Sequence, residues 1–236
     1  MNPRERVLLA VGHKKTDRAP ANYGAQKEVT EKLIQRLGLK DEEELLQALH
    51  VDLRRIPANY AQPDTGPDAD GYLRNMWGLR YRKTDPKDGR PNRIPPFNEQ
   101  TTVEDVHNHR WPDAKALDFS GVRKVCERYH GQYATFGAPW SPFFHEVGWL
   151  IGQENFYCWM STKPEVTHAI IEHVVDYEVE ATRRFLEAAG GMVDIAYFGN
   201  DFGTQRGLFI SPRMWQEFIR QPLKRYFDVS HDSGCK

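Results

Sequence analysis

The chain has 236 residues, and its 32 Lys and Arg are balanced by 33 Asp and Glu, so its formal net charge is −1. This length allows one large domain with a substantial hydrophobic core. The balanced charge excludes a protein-wide basic field of the kind that attracts nucleic acid or an anionic membrane. Three scattered cysteines, Cys126, Cys158 and Cys235, are typical of a reducing compartment. We therefore expect a cytoplasmic protein with a single domain over residues 1–236 and with neither nucleic acid nor membrane as a partner.

Short apolar segments, each followed by a turn or a helix signal, predict strands at four places. They are residues 21–23, 51–56, 132–136 and 194–198, and a fifth strand begins near Cys235. Helical patterns separate them, and the longest ends before Gly190 and Gly191. Alternating strands and helices with right-handed crossovers predict an α/β fold with a parallel sheet, either doubly wound or closed into a barrel.

Residues 58–100 differ from the rest of the chain in composition. Pro, Gly, Asp and Asn are dense there, and only residues 72–81 have the pattern of an ordered element, which we predict to be a hairpin. A structureless loop of such length is unusual inside a compact domain. We therefore expect an ordered excursion that lies near the functional site.

Polar side chains follow the fourth predicted strand. Asn200 and Asp201 stand directly after it, and Thr204, Gln205 and Arg206 follow in a loop. Ligands of α/β proteins bind at the carboxyl ends of parallel strands, which makes these positions candidates for binding a substrate. An Asx turn or a cap of the following loop is the alternative for the first two residues. Ordinary solvated loop residues are the alternative for the other three.

Histidines supply further candidates. His145 lies in an aromatic segment and is a candidate proton carrier near neutral pH, although a core-edge histidine with a backbone partner is the alternative. His107 and His109 have the spacing of a metal pair, but they precede a Trp-Pro stop, and we interpret them as helix-end residues. His231 and Cys235 are a second pair with possible metal spacing, with only two ligands in sight. The sequence therefore predicts no metal site within these residues.

Several segments resemble, in the same order, proteins of the uroporphyrinogen decarboxylase superfamily, especially its branch related to corrinoid-dependent methyltransferases. They are NPRERVLLAVGHKKTDRAP, NMWGLRY, HRWPDAKALDFSG, the GAPW turn and FGNDFGTQRGLFISPRMWQEFIRQPLKRYFDVSHDSG. The resemblance implies a (β/α)8 TIM barrel with its site at the carboxyl ends of the strands. Members of the superfamily are longer, so it also implies an incomplete barrel, with about five of the eight strands present and the C-terminal part missing.

Two activities occur in that superfamily, and the sequence departs from one of them. Decarboxylases resemble one another in an arginine-rich N-terminal motif, similar to RQAGRY, whereas residues 22–26 read NYGAQ here. His145 stands where the decarboxylases have a Tyr, and Arg54 and Arg55 occupy the neighbourhood of their catalytic aspartate. These departures favour the methyltransferase branch.

The resemblance then implies methyl transfer from a corrinoid protein, the expected partner, to a thiol or similar acceptor. It implies zinc in the intact enzyme, held by a His-x-Cys pair and a later Cys beyond Lys236, so that the chain as given would be catalytically incomplete. Asp201 and His145 are the predicted catalytic residues. The predicted contacts to the small-molecule substrate are Tyr23, Asn200, Thr204, Gln205 and Arg206. Decarboxylation of uroporphyrinogen or another aromatic acid, which needs no metal, is one alternative, and a non-catalytic fragment that only binds is another.

Overall fold

The computed structural model describes residues 1–58, 66–82, 93–139 and 142–236. Its helices are α1 (Pro3–Val11), α2 (Lys27–Leu37), α3 (Glu42–Ala48), α4 (Val103–Asn108), α5 (Val122–Tyr129), α6 (Phe143–Ile151), α7 (Gln153–Thr162), α8 (Pro164–Ala189), α9 (Pro212–Phe218) and α10 (Arg220–Asp232), with a short 3-10 helix at Ala114–Ala116. Its strands are β1 (Leu53–Arg55), β2 (Leu73–Arg74), β3 (Arg80–Tyr81), β4 (Arg93–Ile94), β5 (Ala134–Phe136), β6 (Gly203–Thr204) and β7 (Gly207–Leu208). The predicted mixed α/β class is confirmed.

A strip of parallel sheet contains the second, third and fourth predicted strands. β1 pairs in parallel with β5, with Leu53 opposite Ala134. Phe136, the last residue of β5, forms a parallel bridge with Ile195. The fourth segment is bonded to the sheet at this bridge and is shorter than predicted. The three segments are therefore adjacent and parallel, as the order of helices and strands requires.

The two ends of this strip also follow the prediction in part. The N–H of Lys236 donates to the carbonyl of Asp194 at 2.9 Å, and the N–H of Ala196 donates to the carbonyl of Lys236 at 3.0 Å. The predicted stub after Cys235 therefore lies beside the fourth segment. At the other end, residues 21–23 are not a strand, which corrects the prediction, although the N–H of Asp52 donates to the carbonyl of Ala21 at 2.9 Å. A closed barrel stays a prediction.

The excursion forms an antiparallel sheet in the order β2-β3-β4, which confirms the hairpin predicted at residues 72–81. Gly78 has a φ of 85° in the turn of this hairpin, a conformation that side chains other than glycine rarely adopt. The excursion is anchored to α6, because the N–H of Phe97 donates to the carbonyl of Leu150 at 3.2 Å. The remainder of the predicted excursion, at residues 59–65 and 83–92, lies outside the described residues.

Helix α8 connects two hydrophobic clusters. Ile170 and Val174 belong to a cluster with α6, α7 and α10, whereas Phe185 and Leu186 belong to a cluster with α5 and the sheet. Full burial of one such side chain is worth about 1.5–3 kcal/mol, so the helix stabilises both clusters. It ends at Gly190, whose φ of 60° is left-handed, as the sequence predicts. In the described parts of the chain, no helix has the length and apolar character needed to cross a membrane.

Helices α9 and α10 follow the candidate site as two separate helices. Ser211 begins α9 as its N-cap, since its Oγ accepts the N–H of Met214 at 3.2 Å. α9 ends at Phe218 and α10 begins at Arg220. The break lies just before Pro222, whose ring nitrogen has no hydrogen to donate to the carbonyl four residues earlier.

Candidate functional site

The first turn of α6 is bonded to the loop that follows the fourth predicted strand. The N–H of Phe144 donates to Oδ1 of Asn200 at 3.0 Å. The N–H of Asp201 donates to Nε2 of His145 at 3.2 Å. Two neighbouring loop residues are thus each bonded to one of two neighbouring helix residues. The structure brings His145, Asn200 and Asp201 together at the carboxyl end of the sheet, and their roles stay predictions.

The bond from Asp201 decides which nitrogen of His145 is free of a proton. Because a backbone N–H donates to Nε2, the proton of the neutral ring is on Nδ1. The Oδ2 atom of Asp201 lies 3.7 Å from the same Nε2. A protonated ring would turn Nε2 into a donor, and this carboxylate would then be the nearest acceptor. The pair can therefore hold or release a proton at one defined atom.

Asn200 has a structural role that explains its position. The residue before α6, Pro142, provides no side-chain cap, so the first N–H groups of the helix need acceptors from elsewhere. Oδ1 of Asn200 is such an acceptor, and it bonds the N–H of Phe144. Asn200 therefore caps a helix that precedes it in the chain by more than fifty residues, not the following loop, and its contact with the substrate stays a prediction.

An apolar cavity of about 330 Å³ opens beside this contact. Asn200 is the polar residue of the lining, and the rest is mainly aromatic and aliphatic, from Tyr197, Phe198, Phe202 and Phe227. This volume is within the usual range for small-molecule sites, about 300–1,000 Å³. Asp201 lies in the chain between two lining residues, but neither it nor His145 lines the cavity. A small organic molecule would therefore fit beside Asn200.

The predicted loop at residues 204–206 is a tight hairpin. β6 and β7 are antiparallel, and Gln205 and Arg206 form the turn between them. Oγ1 of Thr204 accepts the N–H of Arg206 at 3.1 Å and donates to the carbonyl of Gly207 at 3.3 Å. The hydroxyl of Thr204 is thus engaged within the turn. Gln205 and Arg206 are exposed at its tip, where a substrate contact is still open to them.

Tyr23 is not joined to this group. Its hydroxyl shares a hydrogen bond of 3.0 Å with Oγ1 of Thr30, on α2. Among the described residues, no hydrogen bond or ring contact links Tyr23 with His145 or with Asp201. The structure therefore gives Tyr23 a local partner, and its predicted contact with the substrate stays a prediction.

The fold and the site can be compared with known proteins. The model of the family described as Uroporphyrinogen decarboxylase (URO-D) matches residues 86–236, well over half of the chain. The chain belongs to the uroporphyrinogen decarboxylase family. The superfamily to which the sequence motifs pointed is therefore confirmed.

Among solved structures, this family member is similar to a methyltransferase from Methanosarcina mazei, with a TM-score of 0.56 and 13% sequence identity. The match covers 97% of this chain and 67% of that one. A likeness at this identity shows a shared fold. The comparison with curated proteins found no match.

Glu146, next to His145, is a feature of this family member that the sequence analysis did not identify. Its side chain enters the core, where it is 9% exposed, and within the described ranges its Oε2 atom has no hydrogen-bond partner. Burial raises the pKa of this carboxyl to about 7, and the charge of Arg93 opposes the rise. The sequence did contain a signal for this buried acid, since Glu146 is the one acidic residue of α6, which apart from His145 is otherwise apolar. The carboxyl retains its proton up to about neutral pH.

A second buried acid lies on α8. The hydroxyl of Tyr226 donates to the carboxyl of Glu178, and both side chains are almost completely buried. Burial raises the pKa of Glu178 well above its ordinary value, and nearby Glu146 raises it further. The ring of Tyr226 stacks on that of Phe143, with centroids 5.8 Å apart. It also packs edge-on against the ring of Phe198, a residue of the cavity wall, with centroids 5.1 Å apart. A buried acid network therefore lies directly behind the cavity.

The zinc centre that the superfamily implies does not fit the described residues. Cys235 is buried, and its Sγ donates to the carbonyl of Val193 at 3.2 Å. Burial raises the pKa of this thiol to about 11, whereas metals bind the thiolate. In the parts of the chain that the structure describes, no group of three or more His, Cys, Asp or Glu side chains could hold a metal ion. The pair of His231 and Cys235 is therefore not a zinc site in this arrangement.

Proposed function

We propose that this protein transfers a methyl group from a corrinoid protein to a thiol or a similar small acceptor. The observation that carries the proposal is the proton-free Nε2 of His145, which accepts the N–H of Asp201, the residue that follows Asn200 of the cavity wall. The family match and the likeness in fold to a methyltransferase support the reaction class. The missing arginine-rich motif at residues 22–26 also favours it over porphyrin decarboxylation.

The step that His145 can perform is removal of the proton of the acceptor. A thiol that takes the place of the Asp201 N–H can pass its proton to Nε2 of His145. The imidazolium that forms is near the carboxylate of Asp201, whose Oδ2 is 3.7 Å away. The thiolate is the nucleophilic form of the acceptor and takes up the methyl group. The corrinoid partner supplies that group and keeps the electron pair of the broken bond.

The cavity supports this chemistry by its composition. Its walls are mostly aromatic, and they include Asn200, the residue before Asp201 in the chain. Low polarity around a forming ion pair strengthens it, because the effective dielectric constant is lower than in water. Asn200 also holds the first turn of α6, so it keeps His145 in place relative to the loop. Asn200 and Asp201 therefore position the base.

Zinc is not used in this account, because the described residues do not supply its ligands. Our expectation that a His-x-Cys pair and a later Cys beyond Lys236 hold zinc stays a prediction. If that group is present in the intact protein, it lowers the pKa of the acceptor thiol. His145 would then receive the proton that the thiol releases.

The proposal is tested by mixing the purified full-length gene product with methylcobalamin and a simple thiol. Loss of the methylcobalamin absorbance together with formation of the methyl thioether supports it. His145→Gln should reduce the rate by about 100-fold, the size typical of a lost general base. His130→Gln, which changes an exposed histidine at the end of α5, is the matched control and should keep the full rate. Methyl transfer that is unaffected in His145→Gln would contradict the assigned role.

Decarboxylation of a porphyrinogen or another aromatic acid is the second candidate, and Glu146 is the observation that favours it. This carboxyl keeps a proton up to about pH 7 next to His145 and would provide a donor. Arg54 is not the cation clamp that the reaction needs, because it is 1% exposed and bound to Glu43 at 2.8 Å. Formation of coproporphyrinogen from uroporphyrinogen, without methyl transfer, would favour this candidate. Absence of both activities would favour a protein that only binds.

A further inference from the structure

Two histidines from different helices face each other on the side of α8 that packs on α4. Nδ1 of His107, on α4, lies 3.1 Å from Nε2 of His173, on α8, and the ring centroids are 5.4 Å apart. The sequence suggested a possible pair of His107 with His109. In the structure, the partner of His107 is instead His173, which lies 66 positions later in the chain.

The distance between these nitrogens is close to that between two ligands of one metal ion. Imidazole nitrogens bind zinc at about 2.0–2.1 Å in tetrahedral geometry, which places two such nitrogens about 3.3–3.4 Å apart. His107 and His173, at 3.1 Å, are slightly closer than this, so a small shift of the exposed His107 ring would admit an ion. A direct N–H···N hydrogen bond between the rings is the alternative for the same distance.

The ring of His173 is held in this position by its surroundings. It stacks on Trp111 with centroids 4.7 Å apart and an interplanar angle of 11°. The Nε1–H of Trp111 donates to the carbonyl of Val106, the residue before His107, at 2.9 Å. One indole therefore fixes the ring of α8 to the backbone of α4. His107 is exposed, so an ion can reach the pair from solvent.

His109 uses one of its ring nitrogens elsewhere. Its Nε2 lies 3.0 Å from the carbonyl of Trp77, which is an acceptor and requires a proton on that nitrogen. Only Nδ1 of this ring therefore has a lone pair for a metal. Within the described ranges, His109 does not join His107 and His173 in a group of three that could hold an ion.

The charges around the pair are compatible with a cation. Burial and the nearby His107 lower the pKa of His173. Glu172 and Asp176 act in the opposite direction on this ring from the same helix. Both carboxylates bind Arg225 of α10, at 3.0 and 2.5 Å.

We propose that His107 and His173 form a binding site for one divalent transition-metal ion of the kind that prefers imidazole, with Zn²⁺ as the test case. In the described ranges no third protein ligand completes the set, so water fills the other positions. The site is separate from the catalytic group of His145 and Asp201. It links α4 to α8, and it depends on neither of the proposed activities.

The experiment titrates tag-free, metal-free protein with ZnCl2 under reducing conditions, by calorimetry and by thermal unfolding. We expect one Zn²⁺ per chain and a melting temperature that rises with Zn²⁺ concentration, because an ion that binds only the folded state stabilises it. His107→Gln should weaken binding by about tenfold or more. The substitution is at an exposed position, so the metal-free variant should have the same melting temperature as the metal-free wild type. His130→Gln, another exposed histidine, should bind as the wild type does.

The nitrogens that bind the ion are identified by ring ¹⁵N spectra with and without Zn²⁺. We expect Nδ1 of His107 and Nε2 of His173 to shift together and the resonances of His109 to stay in place. His173→Gln should remove binding as well, and its spectra report whether it is folded. Binding of Zn²⁺ by His107→Gln with unchanged affinity would overturn the proposal. So would the absence of a bound ion in the wild type, which would establish a simple hydrogen bond between the two rings.

Discussion

The side-chain oxygen of Asn200 accepts the N–H of Phe144 at 3.0 Å, so a loop residue caps a helix from another part of the chain. The next pair of residues makes the second contact, in which Asp201 donates to His145. Together these bonds set the position of the candidate base relative to the cavity. Because the two bonds involve different residues, the effect of the Asn200 cap on stability can be tested separately from the proposed role of Asp201 in catalysis.

Asn200→Ala should destabilise the protein by about 1 kcal/mol, because α6 then loses the acceptor at its N-terminus. Asn200→Asp retains an acceptor and places a negative charge at a helix N-terminus, so it should recover most of that stability. Urea unfolding of the three proteins measures both effects. Equal stability of wild type and Asn200→Ala would show that this bond does not hold α6.

Asp201→Ala should give the opposite result, with activity lost and stability kept. The side chain is 85% exposed, and the N–H that binds His145 belongs to the backbone, which the substitution leaves in place. We expect a rate reduced by about 100-fold or more in the methyl-transfer assay and a melting temperature close to the wild-type value. A large drop in melting temperature instead would assign Asp201 a capping role.

Glu146 should make stability depend on pH in a defined direction. The folded state raises the pKa of this carboxyl from 4.5 to about 7, so between these values the native chain holds a proton that the unfolded chain has released. The stability from this group is complete below pH 4.5 and is lost as the pH rises through 7. The loss is about 3 kcal/mol as an order of magnitude, from 1.36 kcal/mol for each pKa unit.

Glu146→Gln should remove this part of the pH dependence and should be more stable than the wild type at pH 8. Urea unfolding from pH 5 to pH 8 provides the measurement. Glu165→Gln changes an exposed acid of α8 and serves as the control, with the pH profile of the wild type expected. A wild-type stability that increases from pH 5 to pH 8 as much as that of Glu146→Gln would refute the assignment. Glu178 contributes in the same direction in each of these proteins, because burial raises its pKa, and in Glu146→Gln it loses only the part of the rise that Glu146 causes.

Tyr226→Phe should destabilise the protein by about 1–3 kcal/mol, because it leaves the buried carboxyl of Glu178 without its donor. Tyr157→Phe is the matched control, since it also removes a single hydroxyl, but one that accepts from Gln153 at an exposed position. Thermal unfolding of both variants gives the comparison. Equal melting temperatures for the two would show that the Glu178 carboxyl does not depend on Tyr226.

The sequence predicted those parts of the fold that depend on local patterns. Short segments containing apolar residues, each followed by a turn or a helix signal, located the parallel segments around Leu53, Ala134 and Ile195. The glycine pair Gly190 and Gly191 located the end of α8. The hairpin of β6 and β7 was read as a loop, because strands of two residues are too short to show an alternating pattern.

The candidate site was predicted only in part, because its contacts join residues that are distant in the chain. Asn200 and Asp201 could be found from their position after a strand, but the partner of each lies 56 residues away. The burial of Glu146 depends on how α6 packs on α8, which local periodicity does not reveal. The same limit applies to His107 and His173, since proximity in sequence favoured His109 as the partner.

The length of α8 has a consequence for how the protein unfolds. At 1.5 Å per residue, its 26 residues extend over about 39 Å and contribute Val174 to one hydrophobic cluster and Phe185 to the other. Unravelling this helix would therefore expose both clusters at once. Tryptophan fluorescence, which reports on the cluster around Trp159, and far-ultraviolet circular dichroism should follow one shared transition in urea. The two halves of the core then behave as a single cooperative unit.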